Sequence, residues 1–298
     1  MLPVLIVCYL RPEKLDALLQ SYLGTPRNIY VFIDRSEPEN YVINKRVFEI
    51  ASKYKDQLTI EILWAENNYG VGKGVPAAID WAFGYERELI ILEDDCYPSN
   101  AAYVFFESQR EQLNGNTVMV AASSPWGYGS NSQTNSFLTL SSYPLIWGWM
   151  TTIDNWHRLR QLLDSKTPHL RVLKKALTNP SKILAISFFY AAVIRVNNGR
   201  LKAWDSPVAL EMLLSNLNSI TSNVSLIENS GQDEYASHFS NPGGALNEIV
   251  SFASLNSASS VMNPSNYWKA RTDKRIEEMI YSMKFRQLFS PIKAIFGR

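Results

Sequence analysis

Short apolar runs alternate with helical periodicity along the first 120 residues of the chain. Val4 to Cys8 is predicted as a buried strand, and Pro12 opens a helix with apolar residues at helical spacing. Further strands are predicted at 28–34, 58–64, 89–92 and 117–122, and helices at 41–54, 74–85 and 98–113. This alternation is typical of βαβ units and a mostly parallel sheet.

The pattern changes after residue 122. Residues 123–142 are rich in Ser, Gly and Asn, and so long a loop in a compact domain is usually functional or disordered. Beyond it we predict two or three helices up to residue 196, a helix starting at Trp204 and Asp205, and a strand at 224–227. The predicted fold is α/β: a Rossmann-like mixed, mostly parallel sheet flanked by helices, with a helical C-terminal extension.

Charge is almost balanced over the whole chain but not along it. There are 29 basic and 28 acidic side chains, so nothing predicts a nucleic-acid partner. Residues 269–298 hold eight basic and three acidic residues, a net +5, which leaves −4 for the rest. This apolar and basic tail could lie on an anionic membrane surface, or it could pack on the domain.

The cysteine content and hydropathy favour a cytoplasmic protein. The chain has two cysteines, Cys8 and Cys96, and no CxxC pair, which suits a reducing compartment. The apolar start precedes Arg11 and Pro12 and is predicted as a strand, not a signal peptide. No apolar run reaches the roughly 20 residues of a membrane span. The tail could still hold the protein at the inner face of the cell membrane.

The chain lacks the glycine motifs of common nucleotide cofactor sites. The turn after the first strand lacks GxGxxG, so NAD and FAD are not expected, and residues 70–74 lack the P-loop spacing. Glu93, Asp94 and Asp95 instead follow the apolar run LIIL. Adjacent carboxylates at the end of a strand favour Mg²⁺ or Mn²⁺ shared with a diphosphate. An acid-rich helix N-terminus is the alternative.

Two further groups of residues follow strands. Asp34 ends the second strand, where a carboxylate can reach a nucleoside or cap a turn. Asn68, Gly70 and Lys73 follow the third strand at the start of a helix, where glycine allows close backbone approach and a lysine can meet phosphate. Taken singly, each of these residues could equally be structural.

The motifs in their order along the chain resemble the GT-A nucleotide-diphospho-sugar glycosyltransferases. They are PVLIVCYLRPEKL, FID, NNYGVGKGVPAAIDWAF, LIILEDDCYPS, YPLIWGWMTTIDNW, KAWDSPV and SLIENSGQDEYASHF. The chain looks most like bacterial surface-polysaccharide transferases and, more remotely, the eukaryotic enzymes that add N-acetylglucosamine to mannose. The resemblance covers residues 3 to 240. It implies a nucleotide-sugar-binding half at 1–122 and an acceptor and catalytic half at 123–240. Residues 241–298 are outside the resemblance, and their own pattern predicts a linker and a basic amphipathic helix.

The resemblance also implies residue roles. Asp95 and His238 would bind Mn²⁺ or Mg²⁺, although His238 could instead be a surface histidine. Asp205 would be the general base; related enzymes often have a second acid next, where this chain has Ser206, so Glu211 is held in reserve. The nucleotide-sugar would be bound by Cys8, Arg11, Asp34, Asn68, Gly70, Lys73, Glu93 and Asp94. The donor sugar and acceptor would be lined by Trp147, Gly148, Trp149 and Trp204.

The implied activity is metal-dependent transfer of a sugar from a nucleotide-sugar, with UDP as the expected nucleotide, to a hydroxyl of a glycan that could be lipid-linked. Aromatic faces stack on sugar rings, and we expect Trp149 and Trp204 to line the pocket while Trp156 and Trp81 belong to the core. A retaining transferase, a nucleotide-sugar hydrolase and a non-catalytic nucleotide or carbohydrate-binding protein remain alternatives.

Overall fold

A mixed eight-stranded sheet lies at the centre of the computed structural model, which describes residues 1–124, 138–165, 169–222, 225–230 and 273–278. Two short strands, β5 and β10, form a second sheet. The strands are β1 Val4–Cys8, β2 Ile29–Ile33, β3 Ile60–Trp64, β4 Glu88–Glu93, β5 Cys96–Pro98, β6 Thr117–Ala121, β7 Leu138–Ser141, β8 Trp149–Thr152, β9 Asn218–Ser222 and β10 Ile227–Asn229.

The main sheet has the order β3-β2-β1-β4-β8-β6-β9-β7. The first four strands are parallel, with Val4 opposite both Ile29 and Ile90. β8 runs antiparallel to β4 and β6, while β9 is parallel to β6 and antiparallel to β7. The predicted fold class, a mixed and mostly parallel sheet flanked by helices, is therefore confirmed.

Nine α-helices flank the sheets in the described residues up to 230, and a further helical segment lies at 273–278. Short 3₁₀ turns at Pro38–Asn40, Arg110–Gln112 and Pro180–Lys182 adjoin them. The helices are α1 Pro12–Gln20, α2 Tyr41–Lys53, α3 Val71–Ala82, α4 Asn100–Gln109, α5 Ile153–Leu159, α6 Gln161–Asp164, α7 His169–Thr178, α8 Ile183–Asn197 and α9 Asp205–Ser215.

The sheet separates two apolar layers because successive side chains of a strand point to opposite faces. Val4 and Ile6 belong to a layer that includes apolar residues of α1, α2 and α4, whereas Leu5 belongs to the layer with α3, α5 and α9. A third cluster joins α7, α8 and α9. The sheet is thus covered on both faces, as parallel strands require.

Three predictions about the second half are wrong. β7 lies inside the polar stretch predicted as a loop, and β9 and β10 form where one strand was predicted at 224–227. Four α-helices, α5 to α8, lie between residues 153 and 197, where two or three were predicted. β9 is rich in Ser and Thr, yet its Ser219 and Thr221 hydroxyls donate to the carbonyls of Tyr143 and Ser123. These hydrogen bonds offset the cost of burying the hydroxyls. β9 can therefore lie inside the sheet although its sequence has no apolar strand pattern.

The described part of the tail packs on the domain. Residues 273–278 are helical, and Asp273 is 3% exposed. Its carboxylate accepts hydrogen bonds from the hydroxyls of Ser141 and Ser142 and from Lys182. For these six residues the contacts favour packing over a free tail; the rest of 269–298 lies outside the described residues.

The described helices include none that is long and apolar enough by itself to cross a membrane. Residues 169–178 and 180–197 have the length and composition of a membrane span only when taken together, and the two segments are bent by 115° relative to each other.

Candidate functional site

The carboxyl ends of β1, β2, β3 and β4 open on one edge of the sheet. From β1 the chain adds β2 and β3 on one side, and β4 then pairs with β1 on the other. The gap between β1 and β4 is therefore a topological switch point, where open α/β sheets bind ligands. The residues that follow β1 and β4 meet there.

Arg11 and two aspartates meet at this switch point. Arg11 precedes the first turn of α1, and its Nη1 lies 3.0 Å from Oδ1 of Asp94 and 2.8 Å from Oδ2 of Asp95. The backbone N–H of Tyr9 donates to Oδ2 of Asp94 at 3.3 Å. Asp94 and Asp95 form the turn between β4 and β5, and both are buried. The structure thus brings Arg11 to two adjacent aspartates that lie 83 and 84 positions later in the chain.

Negative charge exceeds positive charge in the described part of this crevice. Burial raises the pKa of Glu93 to about 8, with the charges of Asp95 and Asp94 adding to the rise and Asp205 making a smaller contribution. Burial also raises the pKa of Asp94 to about 6, against the lowering effect of Arg11. Four carboxyl groups therefore interact around one guanidinium, an arrangement that a cationic ligand would relieve.

A divalent cation fits this crevice only with ligands from elsewhere. In the described residues, no three His, Cys, Asp or Glu side chains are arranged to hold a metal ion. Mg²⁺ sites commonly use one or two carboxylates and complete the shell with water and substrate phosphates, which Asp95 and Asp94 could match. His238, the other predicted ligand, lies outside the described residues.

Asp34 fastens the glycine loop to the end of β2. Its Oδ1 accepts the N–H of Tyr69 at 2.9 Å, and its Oδ2 accepts the N–H of Gly70 at 2.8 Å. Gly70 has φ 66°, and a Cβ on Gly74 would lie 3.2 Å from Oδ2 of Asp34, so glycine suits both positions. Burial raises the pKa of Asp34 and these backbone hydrogen bonds lower it. Its predicted contact with a nucleoside stays a prediction.

Asn44 is a positioning residue that the sequence prediction missed. It is fully buried, and its Nδ2 donates to the backbone carbonyls of Tyr9 and Asp34 at 2.8 and 2.9 Å. Its Oδ1 accepts the indole N–H of Trp64 at 2.8 Å. One amide thus connects the ends of β1, β2 and β3. A signal was present, because Asn44 occupies the helix face that Val47 and Ala51 bury.

The predicted donor-binding loop lies at the same edge. Nδ2 of Asn68 lies 3.4 Å from the Tyr9 hydroxyl, to which it donates, and Lys73 is exposed in the first turn of α3. Cys8 is a different case: it is 2% exposed, and burial holds the pKa of its thiol well above the usual value. The Cys8 side chain is therefore a core group beneath the crevice, and its predicted contact with the nucleotide-sugar stays a prediction.

Asp205 approaches the crevice from the start of α9. Its Oδ1 accepts the N–H of Ser206 at 2.8 Å, and its charge helps to raise the pKa of Glu93. The preceding backbone lies against α3, since a Cβ on Gly72 would be 3.4 Å from the nitrogen of Ala203. The beginnings of α3 and α9 are therefore adjacent, and Asp205 is the predicted base that the fold brings to the acidic cluster.

The structure does not bring Glu211, the predicted reserve base, to the crevice. It is 1% exposed, and its oxygens lie 2.8 and 2.6 Å from Nη1 and Nη2 of Arg171, with Ser215 as a further donor. About one and a half turns after Asp205, α9 has carried this carboxylate among α7 and α8. Its charge is matched by one guanidinium, so Glu211 stabilises the helical layer.

The structure places two of the tryptophans predicted for the sugar pocket in the core. Trp149 and Trp204 are 1% and 2% exposed and stack on each other with ring centroids 6.0 Å apart. They fill the core beneath the crevice and offer no face to a sugar. Gly148 has φ 71°, and a Cβ there would lie 2.6 Å from Ile227, so it serves packing. Trp147 is partly buried.

Fold and crevice together define a Rossmann-like α/β protein with an acidic, arginine-bridged crevice at the switch point of its sheet. No protein-family model matches the chain, and no curated protein matches its sequence. One solved structure that it is similar to is a Bacillus anthracis protein described as a glucose-1-phosphate thymidylyltransferase in complex with a sucrose. The two are 8% identical, with a TM-score of 0.31, over 54% of this chain and 76% of that one. So distant a likeness carries no argument about the activity.

Proposed function

We propose that the chain is a glycosyltransferase that binds a nucleoside diphosphate sugar, expected to be a UDP-sugar, between β1 and β4 and transfers the sugar to a glycan hydroxyl. The observation that carries the proposal is the contact of Arg11 with Asp94 and Asp95 at the topological switch point. A cluster in which several carboxylates surround one guanidinium suits a ligand that brings a divalent cation and a diphosphate together.

The donor would lie along the edge formed by four strand ends. Asp95, assisted by Asp94 and by His238, would hold Mn²⁺ or Mg²⁺, which would neutralise charge on the departing diphosphate. Arg11 can exchange a carboxylate for a phosphate oxygen, because a guanidinium binds either in the same geometry. Lys73 and the backbone of Gly70 would border the diphosphate at the start of α3.

Asp205 would act on the acceptor. A sugar hydroxyl is a weak nucleophile, so a base must take its proton as the oxygen attacks the anomeric carbon. Attack from the face opposite the diphosphate would invert the anomeric configuration without a covalent intermediate. The acceptor is a glycan, and a lipid-linked one would place the protein at the cytoplasmic face of a membrane. Trp147 is the aromatic residue of the predicted set that keeps a partly exposed side chain.

The first test measures donor binding by calorimetry with UDP and a panel of UDP-sugars, with Mn²⁺ and with EDTA. We expect Mn²⁺-dependent affinity that Asp95→Ala removes, because its carboxylate would hold the cation. Asp154→Ala is the matched control, since Asp154 is an exposed aspartate in the first turn of α5. Equal affinity of the Asp95 variant and the wild type, or binding that EDTA leaves unchanged, would overturn the metal role.

The second test measures transfer with the donor that the first test identifies. Asp205→Ala should lower the transfer rate by about 10²-fold to 10⁴-fold while UDP affinity stays near the wild-type value. Full turnover in this variant would exclude Asp205 as the base. The anomeric configuration of the product separates inverting from retaining transfer, free sugar as product indicates a hydrolase, and binding without turnover indicates a non-catalytic protein.

A further inference from the structure

A row of large apolar side chains is exposed on α7. Leu170, Leu173 and Leu177 are 84%, 57% and 72% exposed, whereas Val172 is 6% exposed and packs into the domain. At 3.6 residues per turn the three leucines lie within about 60° of one another, about 100° or more around the helix from Val172. Ile183 and Leu184, 43% and 67% exposed, follow at the start of α8. Soluble proteins seldom leave such rows in water without a function.

The two helices that carry this row contain basic and no acidic residues. Residues 165–204 contain eight basic residues and no acidic ones. Arg171 and Lys182 form ion pairs with Glu211 and with Asp273 and Glu277. Lys174 is exposed beside the leucine row. An apolar row bordered by basic residues complements an anionic lipid surface, where leucines enter the acyl boundary and lysines meet phosphate headgroups.

The same charge argues against two other occupants. In a two-fold dimer the row would face its own copy, which would bring like charges together. Residues 279–298 hold four basic residues and no acidic ones, so their charge repels this surface too.

We propose that α7 and the first turn of α8 form a membrane-docking surface that lies in the interface of an anionic bilayer. The leucine row supplies the apolar contact and the exposed Lys174 supplies the electrostatic attraction. This surface is separate from the tail, and the proposal does not depend on the glycosyltransferase activity, since docking is measured without substrate.

The test is sedimentation of the purified full-length chain with vesicles of phosphatidylcholine alone and of phosphatidylcholine mixed with phosphatidylglycerol. We expect binding to the anionic vesicles that falls as salt is raised. A variant combining Leu170→Gln, Leu173→Gln and Leu177→Gln should lower that affinity at least about tenfold, since three buried leucines are lost. Lys174→Glu should lower it about tenfold through charge alone.

Two control variants separate this surface from other causes. Val42→Gln with Val104→Gln removes apolar side chains that are 79% and 55% exposed on α2 and α4, and it should bind as the wild type does. A variant combining Lys284→Glu and Arg286→Glu alters the basic tail, and it should keep more than half of the wild-type affinity for anionic vesicles. The proposal is overturned if the wild type ignores anionic vesicles, if the triple-leucine variant binds normally, or if only the tail variant fails. Dimers in light scattering that the triple variant abolishes would also overturn it.

Discussion

Two arginine–carboxylate clusters, one around Arg11 and one around Arg171, differ in the balance of positive and negative charge. Arg171 meets one buried glutamate, Glu211, through two hydrogen bonds. Arg11 contacts two aspartates, and the electrostatics of Glu93 and Asp205 reach the same place. A matched pair needs no further partner and acts in stability, whereas unmatched carboxylates favour a cationic ligand. α9 carries an acid to each cluster.

The largest effect on stability should follow from removing the arginine of the Arg171–Glu211 pair. Arg171→Met leaves Glu211 buried without its cation and should lower the free energy of unfolding by about 3–5 kcal/mol, measured by urea denaturation at neutral pH. Arg46→Met is the control, because its ion pair with Glu13 is exposed and should be worth less than about 1 kcal/mol. Similar losses in the two variants would contradict a structural role specific to Glu211.

Removing an acidic group from the cluster around Arg11 should instead raise the stability. The pKa of Glu93 is raised from 4.5 to about 8, so the folded protein keeps a proton that the unfolded chain has released. This contribution to stability is full below about pH 4.5 and is lost as the pH rises toward about 8. Glu93→Gln cannot ionise, and in EDTA near pH 8 it should be about 2 kcal/mol more stable than the wild type.

Urea denaturation across this pH range measures that difference. Glu88→Gln, at the other end of β4, controls for loss of any glutamate from the strand. A Glu93 variant that is less stable than the wild type at every pH would show that Glu93 belongs to a balanced cluster after all.

The smallest effect concerns Asp34, whose carboxylate is matched by backbone amides. Asn has one acceptor oxygen, so Asp34→Asn leaves the N–H of Tyr69 or Gly70 without its acceptor and should lower stability by about 1 kcal/mol. Asp154→Asn, on the surface, should leave the melting temperature unchanged. Weaker binding of UDP by the Asp34 variant would indicate that Asp34 also contacts the nucleoside. Unchanged stability would contradict its role in holding the glycine loop.

The parallel half of the fold was predictable, and the other half was not. The strands β1, β2 and β4 are continuous apolar runs because both faces of a parallel sheet are covered, so the pattern marks them within a residue or two. β7 and β9 carry buried Ser and Thr, and they form because their backbones pair with each other. The hydroxyls of Ser219 and Thr221 donate to carbonyls that follow β7 and β6 in the chain. No local pattern records such pairing.

The candidate site divides in the same way. Arg11, Asp34 and the acidic triplet were predictable because each follows an apolar strand, and parallel strands end at one edge. The sequence could not show that Asn44 reaches back from α2, nor that Trp149 and Trp204 stack on each other in the core. Those relations depend on how α2 and α9 pack against the sheet.

The sequence by itself determined where strands end and therefore which charged residues share the crevice, because hydrophobic periodicity and strand direction are local properties. Only the tertiary structure decided which acids have partners. Asp205 and Glu211 are alike in the sequence, lying six residues apart on one helix. Packing of α9 leaves the first near Glu93 and gives the second to Arg171. The physical reason is that the cost of a buried charge depends on the groups that the fold brings around it.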